Sequence, residues 1–354
     1  MKAVEKYIEN TFPQLELSAD ELVSNYSTLE EELNIIKYGV GLHNRSHHNI
    51  IKLNGKDVLD LLQRISTNDV STLEDFHHVN TLFTNDKGRL IDRTTLIKFA
   101  EDFFLVTSFD NDNRLLRWID KYIITEDVKV ENESGKYFIL EVIGPQAESY
   151  LTLICGKDVD ELDHNKIHRV DVEDLKFHLL KKQSLTGEAI YWIVSEADGS
   201  EKIIEYLLSH RSVFDLDMIG EEALKHSRIE NVVPTYPSEI NDNYNPFEAG
   251  LIKEVSFTKG CYIGQEVIAR IDTYKKVQRT LKNVEVIGLT ETKTPIEISN
   301  SKNELIGVIT SVVTIGNDNK YNCLCYFQNK YLTSDQSEQV IEKESATKIE
   351  IVIK

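Results

Sequence analysis

At 354 residues the chain is too long for one hydrophobic core, and 41% hydrophobic with 28% charged residues is the balance of a folded protein, which excludes extended disorder. Its 59 acidic and 40 basic side chains leave a formal net charge of −19. That excludes general nucleic-acid binding, because the longest basic groups, Lys181-Lys182 and Lys275-Lys276, are only pairs.

The N-terminus carries Glu5, Glu9 and Glu16 without an arginine or an apolar core, unlike a signal or transit peptide. No segment approaches the ~18 consecutive apolar residues of a transmembrane helix. The expected location is the cytoplasm, with no membrane partner. In chain order, Leu22, Tyr26, Leu29, Leu33 and Ile36 predict a helix over 20–38, ended by Gly39 and Gly41. Ile50 to Leu53 reads as a strand, and Asp57 opens a helix with Val58, Leu61, Leu62 and Ile65 inward. Thr81 to Ala100 reads as a hairpin turning at Asn85 to Gly88, and Asn113 to Ile123 as a further amphipathic helix. Tyr137–Ile143, Asp174–Leu180 and Ala189–Val194 read as strands, with helices ending at Leu153 and spanning Ser200–Leu208. Pro234 to Pro246 reads as an irregular loop, and from Val277 onward short strands alternate with turns, the pattern of a small β-barrel. The expected fold class is α+β: two mixed α/β regions, residues 1–135 and 136–275, followed by a barrel over 276–354.

The most informative stretch is Pro246-Phe247-Glu248-Ala249-Gly250-Leu251 followed by Lys259-Gly260-Cys261-Tyr262-Ile263-Gly264-Gln265-Glu266. Gly260 suits a positive φ or a close backbone approach, and Gly264 opens a predicted helix. Cys261 then lies near a helix N-terminus and Lys259, both of which favour a thiolate; the other reading is a small apolar core residue.

Lys-Gly-Cys-Tyr-x-Gly-Gln-Glu resembles the signature of YgfZ-type proteins and their mitochondrial iron–sulfur assembly relatives. Pro-x-Glu-Ala-Gly-Leu is similar to the T-protein of the glycine cleavage system, which typically has Asp where this chain has Cys261. The resemblance extends over Gly41 to Ser46, Asn54 to Asp69 and Lys87-Gly88-Arg89, and is weakest in the first thirty residues. It implies the T-protein fold, a tetrahydrofolate or one-carbon folate cofactor, and iron–sulfur client enzymes, tRNA-modifying ones included, or assembly factors as partners. It also implies site residues. Asp92-Arg93 stands where a T-protein has Asp-Asp, so one carboxylate survives beside a guanidinium expected to lower its pKa and make it a poorer acid. The other reading of Asp92 is an exposed, salt-bridged strand residue. Thr186-Gly187-Glu188 and Arg228-Ile229-Glu230 resemble folate-contacting motifs, so Glu188, Arg228 and Glu230, with Lys259, are the expected cofactor contacts; Glu188 in a solvated turn is the alternative.

His47-His48, His77-His78 and Cys323-x-Cys325 do not form a recognisable ligand spacing, and no metal site is expected. Nor do four cysteines in so long a chain suggest a disulfide scaffold. Three readings remain: a folate-binding accessory protein for iron–sulfur enzymes acting through Cys261, a folate-dependent aminomethyl- or methyltransferase, and a folate-binding module without chemistry.

Overall fold

The computed structural model describes residues 2–18, 21–156, 159, 161–316, 319–332, 338–342 and 348–353. The chain forms two compact units, the first made of Met1–Leu61, Val70–Asn80 and Thr94–Leu224, the second of Leu62–Asp69, Thr81–Arg93 and Lys225–Lys354. In chain order the elements run α1 (Lys2–Thr11), β1 (Glu16–Leu17), β2 (Val23–Asn25), α2 (Leu29–Tyr38), β3 (Val40–Asn44), β4 (Ile50–Asn54), α3 (Val58–Ile65), β5 (His77–Thr84), β6 (Leu90–Phe99) and β7 (Asp102–Val106). They continue as α4 (Arg114–Asp120), β8 (Lys129–Asn132), β9 (Tyr137–Ile143), α5 (Ala147–Cys155), β10 (Ile167–Val172), β11 (Leu175–Gln183), β12 (Ala189–Glu196), α6 (Ser200–Ser209), β13 (Leu216–Met218) and α7 (Glu221–Glu230). The remainder holds α8 (Gln265–Tyr274), β14 (Arg279–Ile287), β15 (Ile296–Ser299), β16 (Leu305–Thr314), β17 (Lys320–Gln328), β18 (Glu338–Glu342) and β19 (Lys348–Ile353).

The first unit is built on the sheet ordered β10-β11-β12-β9-β3-β13 and on the sheet ordered β5-β6-β7-β4-β8, apart from Thr81–Thr84 of β5 and Leu90–Arg93 of β6, which belong to the second unit. Side chains alternate across β9, so Leu140 and Val142 pack with Tyr150, Leu151, Ile203 and Leu207 of α5 and α6, while Ile139 faces the other way. There it joins Leu180, Trp192 and Val194 against Ile50, Ile97, Phe104 and Val106 of the second sheet. The helix expected over 20–38 starts only at Leu29. Thr28 caps it, accepting from Glu31 N at 3.3 Å while the Glu31 carboxylate accepts from Thr28 N at 3.1 Å. Val23–Asn25 pairs instead with β1.

In the second unit the strand-rich tail closes into a barrel ordered β14-β17-β16-β15-β18-β19. Val284, Val286, Ile298, Ile309, Cys323 and Cys325 fill it, so the Cys-x-Cys pair is core on one strand face. No described helix is long and apolar enough to cross a membrane.

Candidate functional site

In the second unit, the Lys-Gly-Cys loop is held on both flanks. Gly264 caps α8 with φ 84°, and a Cβ there would lie 2.6 Å from the Asn85 carbonyl and 3.0 Å from Gly88 Cα. The hairpin turn at Asn85 to Gly88 therefore demands glycine at 264. At Gly260 an added Cβ meets nothing within 4 Å, so neither a positive φ nor a close approach explains that glycine. Thr84 Oγ1 donates to the Ile263 carbonyl at 2.8 Å. Lys259 Nζ donates to the carbonyls of Ser66 at 2.9 Å and Asn68 at 2.5 Å, and burial pushes its pKa down to about 8. The ammonium expected to serve the thiol thus braces the loop. Cys261 itself is exposed. By contrast, burial pushes the thiols of Cys155 and Cys323 up to about 12, and that of Cys325 well upward.

Asp92 and Arg93 separate. Adjacent residues on a strand face opposite ways, and the Arg93 guanidinium binds Glu254 in a fork, Nε at 3.0 Å from both oxygens and Nη2 at 2.6 Å from Oε1. Asp92 is buried, against the reading of it as an exposed strand residue, and accepts from the Arg93 backbone N–H at 2.8 Å. The Arg93 guanidinium is thus engaged by Glu254, and the two sequence neighbours lie on opposite faces of the strand. The other expected contacts stand as follows. Glu188 is exposed in the β11–β12 turn, whose ends are tied by Ser184 N donating to Glu188 O at 2.9 Å. Glu230 is exposed at the end of α7. Arg228 donates to fully buried Glu239 at 3.1 Å and to Ser311 Oγ at 2.8 Å, and Glu239 also accepts from Thr310 and Ser311 hydroxyls at 2.6 Å. Arg228 is thereby a brace between α7 and the barrel.

The first unit contains a cavity of about 660 Å³, within the range of small-molecule sites. Its floor is Ile50, Ile97, Val106, Ile139 and Val194, and its wall is a run of rings: His178 lies 4.6 Å from Phe99, Phe99 6.0 Å from Phe104, and Phe104 5.3 Å from Tyr137. Burial lowers the His178 pKa, which keeps that ring neutral. Charges line the edge: Arg169, Lys176 and Lys202 with Asp102, Asp174, Glu196 and Asp198. Glu188 is not among the lining residues.

Farther along the same faces of β9 and β12, beyond Ile139 and Val194, a polar cluster is buried. Glu141 and Trp192 are register partners, and Trp192 Nε1 donates to Glu141 at 2.7 Å. Arg45 Nη1 donates to Glu141 at 3.1 Å; its Nη2 donates to His48 Nε2 at 2.9 Å, while His48 Nδ1 donates to the Thr107 carbonyl at 2.7 Å. That fixes His48 as a neutral imidazole. Lys182 Nζ sits 3.4 Å from the Trp192 ring centroid and donates to Thr95. Buried Arg45 Nε, His43 Nδ1 and His78 Nδ1 have no hydrogen-bond partner. The desolvated Glu141 carboxyl is still held below its usual range, chiefly by Arg45. One local sign of this cluster was available, a lone glutamate inside the apolar run Tyr137–Ile143. Among the described residues, no group of three or more His, Cys, Asp or Glu is arranged to hold a metal ion.

A model of the GCVT N-terminal domain family matches residues 7–259. An aminomethyltransferase of Bacillus cytotoxicus is 29% identical over 338 residues, 94% of this chain and 90% of that protein. One of Bacillus mycoides is 30% identical over 295 residues, 82% of this chain and 79% of its own. Among solved structures, glycine cleavage system aminomethyltransferase T from Bartonella henselae superposes with a TM-score of 0.80 at 17% identity, covering 98% of this chain and 94% of that one. The α+β architecture with its terminal barrel is that fold.

Proposed function

The chain belongs to the GCVT N-terminal domain family, and from that premise we propose that it binds a reduced folate and acts as a YgfZ-type accessory protein for iron–sulfur enzymes rather than as an aminomethyltransferase. The observation that carries this reading is the Arg93–Glu254 fork: where a T-protein has its second acidic residue, this chain has a cation already committed to a carboxylate. A carboxylate that hands a proton to a reacting amine is therefore missing at that position.

Support for the cofactor comes from the family and not from the cavity, whose floor is apolar and whose lining sets Asp102, Asp174, Glu196 and Asp198 against Arg169, Lys176 and Lys202. Tetrahydrofolate joins a polar bicyclic ring to a benzoyl ring and an anionic glutamate tail. The Arg45–Glu141–Trp192 cluster, with its unsatisfied Arg45 Nε, offers the hydrogen-bonding groups a polar ring would need. When bound, the folate supplies a carrier for a one-carbon unit. Cys261, exposed on a loop fixed by Lys259 and Gly264, would engage the cluster or cysteines of a client enzyme.

The second reading, a folate-dependent aminomethyltransferase, is favoured by the names of the relatives. Three assays separate them: calorimetry with a reduced folate, a glycine cleavage assay, and the activity of iron–sulfur enzymes in cells lacking the gene. Folate binding with loss of cluster-dependent activity and no glycine cleavage is the expected result. Glycine cleavage turnover at the rate of a working T-protein would overturn the accessory reading. No heat with any folate would remove both.

A further inference from the structure

The cavity of the first unit has a chemistry of its own, and it lies at the end of β6 away from Asp92, where Ile97 and Phe99 line it. Strand register decides which charges face it. Glu196 lies opposite Tyr137 across β12 and β9, and Lys52 lies opposite Phe104 across β4 and β7. Register partners share a sheet face, so the Glu196 carboxylate stands on the cavity side beside the Tyr137 ring. Asp102, two residues before Phe104, shares the Phe104 face.

Two of the charged groups at the edge are already neutralised. Lys52 Nζ meets Asp102 at 2.7 Å, and Arg169 meets Asp171 at 3.1 Å. Among the described residues Glu196 is in no ion pair. The two remaining lysines lie elsewhere on the rim: Lys176 follows the His178 face of β11, and Lys202 is carried by α6. The corner at Tyr137 is therefore the acidic one. The Tyr137 hydroxyl titrates accordingly: burial raises its pKa, and Glu133, Asp102 and Glu196 raise it further, with Lys52 opposing them. In the same corner the Tyr137 and Phe104 rings stand edge to face, with centroids 5.3 Å apart at 72°. An aromatic face attracts a cation, and Lys52 Nζ already lies 5.7 Å from the Phe104 centroid. Behind this corner the floor is apolar and nearly closed to water at Ile97 and Ile139.

We propose that this cavity is a second small-molecule site, separate from the folate site, and that it takes an organic cation, with an apolar aromatic body on the floor of Ile97, Ile139 and Val194 and a protonated amine against Glu196 and the rings of Tyr137 and Phe104.

The test is a titration of the full chain at neutral pH with 4-phenylbutylamine, 4-phenylbutanol and 4-phenylbutyrate, which share a body and differ in the charge of the head. Isoleucine methyl NMR reads both affinity and place, because Ile97 and Ile139 form the floor. The amine should shift those two methyls and bind about five- to tenfold more tightly than the alcohol, with the carboxylate weakest. Glu196 is exposed, so Glu196→Gln should fold normally. It should bring the amine down to the affinity of the alcohol and leave the alcohol unchanged. Folinic acid should not displace the amine. A carboxylate that binds as tightly as the amine, or an amine preference that survives in Glu196→Gln, would overturn the proposal. So would floor methyls that none of the three compounds moves. Displacement of the amine by folinic acid would also overturn it, while leaving the folate reading intact; failure of folate to bind the protein at all would sink that reading and leave this site standing.

Discussion

Cys261 is the one exposed thiol of the four, and the other three are disfavoured as thiolates by burial. Alkylation followed residue by residue with mass spectrometry at neutral pH should therefore label Cys261 first, with Cys323 and Cys325 protected until the barrel unfolds. Equal labelling of all four in the folded protein would contradict this. Cys261→Ser should keep folding and folate binding, yet abolish support of iron–sulfur enzymes in cells. Arg93 invites a second test. Arg93→Asp restores the acidic pair by sequence but sets a carboxylate against Glu254, whose side chain is 8% exposed. The variant should lose about 2–3 kcal/mol in urea denaturation and gain no glycine cleavage activity. A stable variant with turnover would show that Arg93 alone withholds transferase chemistry.

At the scale of elements, legibility followed locality. The helix at Gly264, the Asn85 to Gly88 hairpin and the barrel strands are each written in consecutive residues, and each stands where pattern and turn chemistry put it. Thr28 shows the opposite. Its capping box was present as Thr-x-x-Glu, but apolar spacing on both sides merged α2 with strand β2. The cavity had no local signature, because its floor comes from residues as far apart in sequence as Ile50, Ile97, Ile139 and Val194, which only sheet pairing brings together. The bond from Arg228 to buried Glu239 was not legible either, because an arginine's own motif does not reveal its partner. The glycines give a sharp comparison. Gly264→Ala should cost at least ~2 kcal/mol and distort the Cys261 loop, since it combines a positive φ with a carbonyl 2.6 Å from the new Cβ. Gly260→Ala should be nearly neutral, having open space around it. Thermal melts of both decide it, and equal losses would contradict the reading.

For the whole molecule, acid should be the weak side, and the reason is buried neutral imidazoles rather than net charge alone. Burial pushes His47 from 6.5 down to about 4 and His78 to about 3, and holds His48 well below its ordinary value. An unfolded chain protonates these rings near their ordinary pKa, whereas the folded chain resists. The unfolded state thus binds more protons below about pH 6.5, and stability falls as pH drops. For each ring the loss begins near 6.5 and is complete at its folded value, about 4 for His47, which amounts to about 3 kcal/mol for that group alone. A second loss begins lower. His43 and the neighbouring rings hold Glu221 at about 2, so its contribution is fully present above its ordinary 4.5 and lost as pH falls toward 2. The geometry sets what protonation of His48 breaks: a protonated ring cannot accept from Arg45 Nη2, which loosens the guanidinium that neutralises Glu141. Urea denaturation at closely spaced pH values should show stability flat above 7 and falling steeply from about 6.5 to 4. His78→Gln should shallow that slope, because glutamine does not titrate and can still donate to the Lys181 carbonyl that His78 Nε2 meets at 3.1 Å. An unchanged slope in His78→Gln, or a wild-type loss confined below pH 4.5 where carboxylates titrate, would assign acid sensitivity to the carboxylates instead of the histidines.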